Sequence, residues 1–170
     1  MFGYNIFLIG FMGTGKSTVA DTFRKQYGME IVEMDQAIVE KEGMNISDIF
    51  EKYGEEYFRN METSLLKGMN GATDKIVSCG GGAVLRKENI SFMKEQGKIV
   101  LLTASPEVIF CRVKNNKGRP LLQGKNTVEE IKAMMENRKK IYESAADIVI
   151  CTDGKSPEII CKEIIENYKK

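Results

Sequence analysis

Eight residues near the N-terminus, Gly10-Phe11-Met12-Gly13-Thr14-Gly15-Lys16-Ser17, satisfy the pattern G-x-x-x-x-G-K-[ST] between an apolar run and a helical pattern. Three glycines let backbone N–H groups converge on one point, and a helix that begins at Lys16 adds its positive end there. That is a cradle for phosphate. Lysine in this position reaches the β- and γ-phosphates of a nucleotide, and the Ser17 hydroxyl suits Mg²⁺. The same stretch, "FLIGFMGTGKSTVA", also admits an apolar leader, but it has no basic start, and Lys16 stands where a small-residue cleavage site is wanted.

Three further groups have the chemistry to hold a second, acceptor molecule. Glu33 and Asp35 follow an apolar run and so sit at the carboxyl edge of a sheet, where open α/β folds bind ligands; an ordinary strand-to-helix turn capped by Asp35 is the alternative. Arg59 and Glu62 are one helical turn apart, so the acid is able to hold the guanidinium in a fixed pose; a solvent-facing ion pair is the plainer outcome. Gly80-Gly81-Gly82 follows "KIVSC", and three glycines are entropically costly unless something approaches the main chain closely. A GTPase is disfavoured: "NNKG" lacks the aspartate that reads guanine, and no D-x-x-G switch occurs.

The elements that position these groups alternate. Apolar runs at 5–9, 30–33, 75–78, 98–103 and 147–151 read as buried parallel strands, most of them rich in Val and Ile. Helical patterns cover 16–27, 36–42, 46–52, 55–69, 87–96, 106–113, 128–143 and 157–168. Ser105-Pro106-Glu107 and Ser156-Pro157-Glu158 each offer a capping serine, a first-turn proline and an early acid. The expected fold is α/β, a five-stranded parallel sheet with helices on both faces. One connection, "KNNKGRPLLQGKN" at 114–126, is too long for a plain turn and reads as a mobile lid.

Bulk composition narrows the partners. A length of 170 residues suits a single domain spanning 1–170. With 25 basic and 24 acidic residues the net charge is +1, so no global field recruits nucleic acid or an acidic membrane, and no run approaches the length of a membrane span. There is no histidine, which removes Ser-His-Asp and Cys-His hydrolysis and leaves carboxylates, lysine, arginine or a metal to carry the chemistry. Cys79, Cys111, Cys151 and Cys161 form no CxxC pair and read as buried thiols in a reducing compartment.

In order along the chain, "GFMGTGKS", "EMD", "GMNISDIFEKYGEEYFRNME", "CGGGAV", "GRPLL", "NRKKIY" and "TDGKSPEII" resemble the shikimate kinase family, P-loop kinases of the nucleoside-monophosphate-kinase type. The resemblance covers nearly the whole chain. It implies a three-layer P-loop kinase that uses ATP with Mg²⁺ to phosphorylate the 3-hydroxyl of shikimate. The products are shikimate 3-phosphate and ADP, on the way to chorismate and the aromatic amino acids. It also implies a cytoplasmic monomer whose partners are small molecules only. Gly13, Thr14, Gly15, Lys16, Ser17 and Thr18 then hold ATP together with Arg112, Arg119 and the segment from Asp153 to Pro157.

On the acceptor side the resemblance assigns Asp35 to the acceptor hydroxyls, Arg59 and Arg138 to the carboxylate, and Gly80, Gly81 and Gly82 to backbone contacts within a helical region near 35–62. Lys16, Asp35 and Arg119 form its catalytic set, Arg119 closing with the lid. One position departs from the family pattern: the first acid is Glu33 where aspartate is usual, so Ser17 is the firmer metal ligand and Glu33 acts through a water. A kinase for another polyol acid such as gluconate, and a non-catalytic nucleotide sensor, remain as other readings.

Overall fold

All five residues of the first strand, β1 (Asn5–Ile9), are buried, and alternate side chains enter opposite cores. Ile6 and Leu8 join one hydrophobic cluster, Phe7 and Ile9 the other. Burial on both faces is why the run shows no polar alternation. The computed structural model describes residues 2–114 and 127–168. The lid reading at 115–126, with Arg119, lies outside the described residues.

After β1 come α1 (Lys16–Tyr27), β2 (Glu30–Glu33), α2 (Met34–Glu42), α3 (Ile46–Gly68) and β3 (Lys75–Ser78). A 3₁₀ turn (Ala83–Leu85) leads to α4 (Lys87–Gln96), β4 (Gly97–Thr103), α5 (Pro106–Val113), α6 (Val128–Ala145), β5 (Ile148–Cys151) and α7 (Pro157–Tyr168). The sheet order is β2-β3-β1-β4-β5, every pair parallel. Helices α1 and α7 cover one face through Phe23, Ile160 and Ile164. The other face packs Leu66 of α3, Met93 of α4 and Tyr142 of α6.

The boundaries differ from expectation at a few places, each with a local cause. Helix α2 begins at Met34, whose side chain is fully buried, so Glu33 takes the N-cap position and Asp35 lies inside the first turn. The capping role considered for Asp35 is therefore excluded. The two helices expected at 46–52 and 55–69 are both present within α3, separated by a kink where Gly54 leaves helical backbone at φ 81° and ψ 169°. Asp147 stands just outside β5: its carboxylate accepts from Ile99 N at 2.7 Å while its own N–H donates to Ile99 O at 2.8 Å. Ser105 and Ser156 both cap as their motifs imply. Thr127 and Glu130 add a reciprocal capping box at the start of α6.

Two of the four thiols are not buried. Cys79 and Cys161 are, but Cys111 and Cys151 are exposed. Helix α5 turns Ile109 and Val113 inward, which puts Cys111 on its outer side, and Cys151 lies on the edge strand β5.

Strand β4 starts one residue early, at Gly97, which pairs with Asn5. A Cβ there sits 2.1 Å from Asn5 O, in backbone that cannot yield cheaply. Gly97→Ala is expected to destabilise the protein by about 1–3 kcal/mol, read as a lower urea midpoint at unchanged slope. A midpoint equal to that of the wild type contradicts this.

Candidate active site

The chain leaves β1 toward β2 on one side of the sheet and later crosses to β4 on the other, which makes the carboxyl end of β1 a switch point. The glycine-rich loop between β1 and α1 lies there. Gly10 packs so closely under β4 that a Cβ falls 2.3 Å from Leu102 O, and Gly15 caps α1 at φ 93°, in left-handed backbone. Thr14 Oγ1 donates to Phe11 O at 2.8 Å, tightening the turn. Lys16 Nζ donates to Gly10 O at 2.9 Å and Phe11 O at 3.1 Å, so its ammonium lies over the loop's own carbonyls.

A cleft of about 500 Å³ opens above this loop. Its walls include residues 13–18 from the loop and α1, Glu33 and Asp35, and Gly81. Ser17 Oγ donates to Glu33 Oε2 at 3.1 Å and lies 3.5 Å from Ser78 Oγ. Burial raises the Glu33 carboxyl above the usual range, opposed by hydrogen bonds from Ser78 and Ser17. At the far side Arg112 donates to Gly13 O at 2.9 Å and Thr152 Oγ1 at 3.4 Å, bracing the loop against the end of β5.

The acceptor-side residues gather beside the triple glycine. The Arg59–Glu62 pair is internal, with Arg59 6% and Glu62 0% exposed, so the solvent-facing alternative does not hold. Arg59 Nη1 meets Glu62 Oε2 at 2.6 Å, and Nη2 meets Glu55 Oε1 at 2.9 Å. Gly82 leaves room for that guanidinium: a Cβ there falls 2.3 Å from Arg59 Cζ. At Gly80 a Cβ falls 2.4 Å from Glu62 Oε1 and 2.9 Å from Asp35 Oδ1. Two of the three glycines thus admit the protein's own side chains, and Gly81 is the one that lines the cleft.

Glu62 is the most perturbed carboxylate in this cluster. Its Oε1 has no hydrogen-bond partner among the described residues, and burial lifts its carboxyl from 4.5 to about 7. Arg59 and Arg86 pull it down, whereas Asp35 pushes it up. The folded state therefore binds more protons than the unfolded chain between pH 4.5 and 7, so this group's contribution is complete at low pH and is lost as pH rises. The loss is of order 3 kcal/mol. Urea unfolding at pH 5 to 8 is expected to show that decline, and Glu62→Gln to flatten it; an unchanged slope in the variant contradicts the assignment.

Not every candidate faces the cleft. Arg138 reaches over from α6 to donate to Gly81 O at 3.4 Å. Asp153 turns away, its carboxylate accepting from Ser105 N at 2.9 Å and so fixing the start of α5. From that segment it is Lys155 and Pro157, with Thr152 just before it, that line the cleft. Sequence reasoning gave no role to Ser78 or Tyr142, and it took in Lys155 only as part of the 153–157 segment. Ser78 was recoverable as the last residue of a strand before the glycines, and Tyr142 closes the quoted "NRKKIY" motif, though nothing in it shows that the hydroxyl reaches Gly81.

Comparison with known proteins agrees with this geometry. A model of the family "Shikimate kinase" matches residues 12–169. The shikimate kinase of Thermodesulfovibrio yellowstonii is 43% identical over 166 residues, 98% of this chain and 95% of that protein. That of Persephonella marina is 45% identical over 161 residues, covering 95% and 96%. Among solved structures, the shikimate kinase of Acinetobacter baumannii in complex with shikimate superposes with a TM-score of 0.90 at 32% identity, covering 96% of this chain and 92% of that one. The five-stranded parallel sheet is thus the P-loop kinase fold. With a family match over nearly its full length, and a phosphate loop that shares one cleft with Glu33 and Asp35, this chain belongs to the shikimate kinase family.

Proposed function

We propose that the protein transfers the γ-phosphoryl group of ATP to the 3-hydroxyl of shikimate, giving shikimate 3-phosphate and ADP. The observation that carries this reading is the meeting of two half-sites: the Lys16 loop on one wall and Asp35, beside the Arg59–Glu62 pair, on the other. Phosphoryl transfer asks for in-line positioning and charge neutralisation more than for covalent chemistry. Lys16 neutralises the β- and γ-phosphates, residues 13–18 cradle them, and Arg112 with the 153–157 segment takes the adenosine end. Asp35 orients the attacking hydroxyl and accepts its proton. Arg59 and Arg138 grip the acceptor carboxylate, since a planar guanidinium matches it bidentately. Residues 80–82 supply backbone contacts, and Arg119, outside the described residues, adds charge at the phosphates.

The donor set fits Mg²⁺, a hard cation that takes oxygen ligands from one or two carboxylates and from phosphates. Ser17 supplies a hydroxyl, and Glu33, one methylene longer than the usual aspartate, reaches that hydroxyl at 3.1 Å. When bound, the ion neutralises the phosphate charge and fixes the phosphate geometry. Among the described residues no helix is long and apolar enough to cross a membrane, in keeping with work in the cytoplasm. One chain supplies every residue invoked, so a monomer suffices, and light scattering at working concentration tests it.

The deciding experiment is ADP release with ATP–Mg²⁺ alone, with shikimate and with gluconate. Stimulation by shikimate only is expected. Stimulation by gluconate overturns the acceptor assignment, and ATP binding without acceptor-stimulated ADP release makes the protein a nucleotide sensor.

A further inference from the structure

We propose that Tyr142 is a positioning residue for the acceptor half of the site, its hydroxyl holding the Gly81–Gly82 peptide and the Arg138 guanidinium in one fixed arrangement. This rests on the reading that Arg138 and the glycine loop bind the acceptor. Arg138 and Tyr142 are four residues apart on α6 and therefore share a face. The Tyr142 ring is 5% exposed and packs in the core with Ile9, Ala83 and Leu101. Its hydroxyl donates to Gly81 O, the carbonyl to which Arg138 Nη1 also donates at 3.4 Å. The Arg138 guanidinium acts on the phenol electrostatically, opposing the rise in the Tyr142 pKa that burial causes. Phenol and guanidinium thus converge on one carbonyl, which ties the position of each to the other.

A buried tyrosine whose hydroxyl merely finds a carbonyl is common. The partner makes this one different. Gly81 is the glycine of the three that lines the cleft, and it has no side chain to anchor it. A Cβ built on it lies 3.8 Å from both Gly10 O and the Tyr142 hydroxyl, and 3.9 Å from Met12 N. The glycine loop is thus seated against both the phosphate loop and Tyr142. Its peptide bonds are trans, so a Gly81 carbonyl held against α6 directs the Gly82 N–H to the opposite side of the loop. Removing the hydroxyl frees that peptide to rotate and so loosens the carbonyl that Arg138 bonds, and both losses fall on preorganisation of the acceptor site.

Tyr142→Phe keeps the ring and its packing and deletes only the hydroxyl. Calorimetric titration with shikimate in the absence of nucleotide is expected to show a Kd raised about 5- to 10-fold, the scale of one hydrogen bond. The shikimate KM rises in parallel, and the ATP KM stays within about twofold. A lower melting temperature with an unchanged shikimate Kd makes the hydroxyl merely structural and overturns the proposal, as does an equal rise in both KM values. Arg138→Ala separates the two failures. If it weakens shikimate binding and Tyr142→Phe does not, the positioning role alone is lost; if neither variant changes binding, the acceptor reading fails with it.

Discussion

Lys16→Met is expected to lower kcat by about 10²- to 10³-fold, the usual consequence of removing one fixed charge aimed at a developing anion. Methionine preserves the length and apolar stem of the side chain but supplies no charge to the phosphates. The fold is expected to persist, because the side-chain bonds to Gly10 O and Phe11 O are lost from a loop that Thr14 also tightens. Each such bond contributes about 1 kcal/mol. Far-UV circular dichroism and a melting curve establish that the variant is folded, and steady-state ADP release at saturating shikimate measures its turnover. Full activity in a folded variant sinks the phosphate-cradle assignment, whatever the acceptor.

Arg59→Ala is expected to weaken shikimate binding by about 100-fold or more, from loss of roughly 3 kcal/mol of charge-assisted, desolvated contact. The ATP KM is expected to change by less than about threefold, because Arg59 lies among Glu55, Glu62 and Gly82, on the acceptor side of the glycine loop. Stability falls as well: the substitution strands the Glu62 carboxylate, and breaking a buried pair costs about 3–5 kcal/mol. Glu62 already titrates near 7, so the loss is smaller at pH 6, where the carboxyl is protonated, than at pH 8. Arg59→Lys keeps a charge but not the planar fork and is expected to fall between the two. Equal loss of ATP and shikimate affinity in a folded variant removes the clamp role.

These two sites show where local sequence suffices. The phosphate loop is legible because its chemistry is written in contiguous residues: Gly10, Gly15, Lys16 and Ser17 act through backbone turn, helix start and side-chain type, all within one connection. The same holds for the serine caps at Ser105 and Ser156, and for β1, whose unbroken apolar run already reports burial on both faces. Arg59 was visible as a helix neighbour of Glu62, but not as a buried one.

What decides the rest is which distant residue fills a given space, and periodicity carries no record of that. Gly82 reads from sequence as a place for a ligand and proves to be the space for a guanidinium 23 positions earlier. The carboxylate of Asp153, expected near the nucleotide, is held by the backbone of Ser105, 48 residues away. Glu62 owes its raised pKa to burial beside Asp35, and Tyr142 owes its place at the glycine loop to the packing of α6 against the sheet. Residue types and their order along the chain were enough to name the family and to propose the donor half of the site. The proposed acceptor half is assembled from α2, α3, α6 and the turn after β3, and its burial, charge balance and orientation exist only once those elements pack.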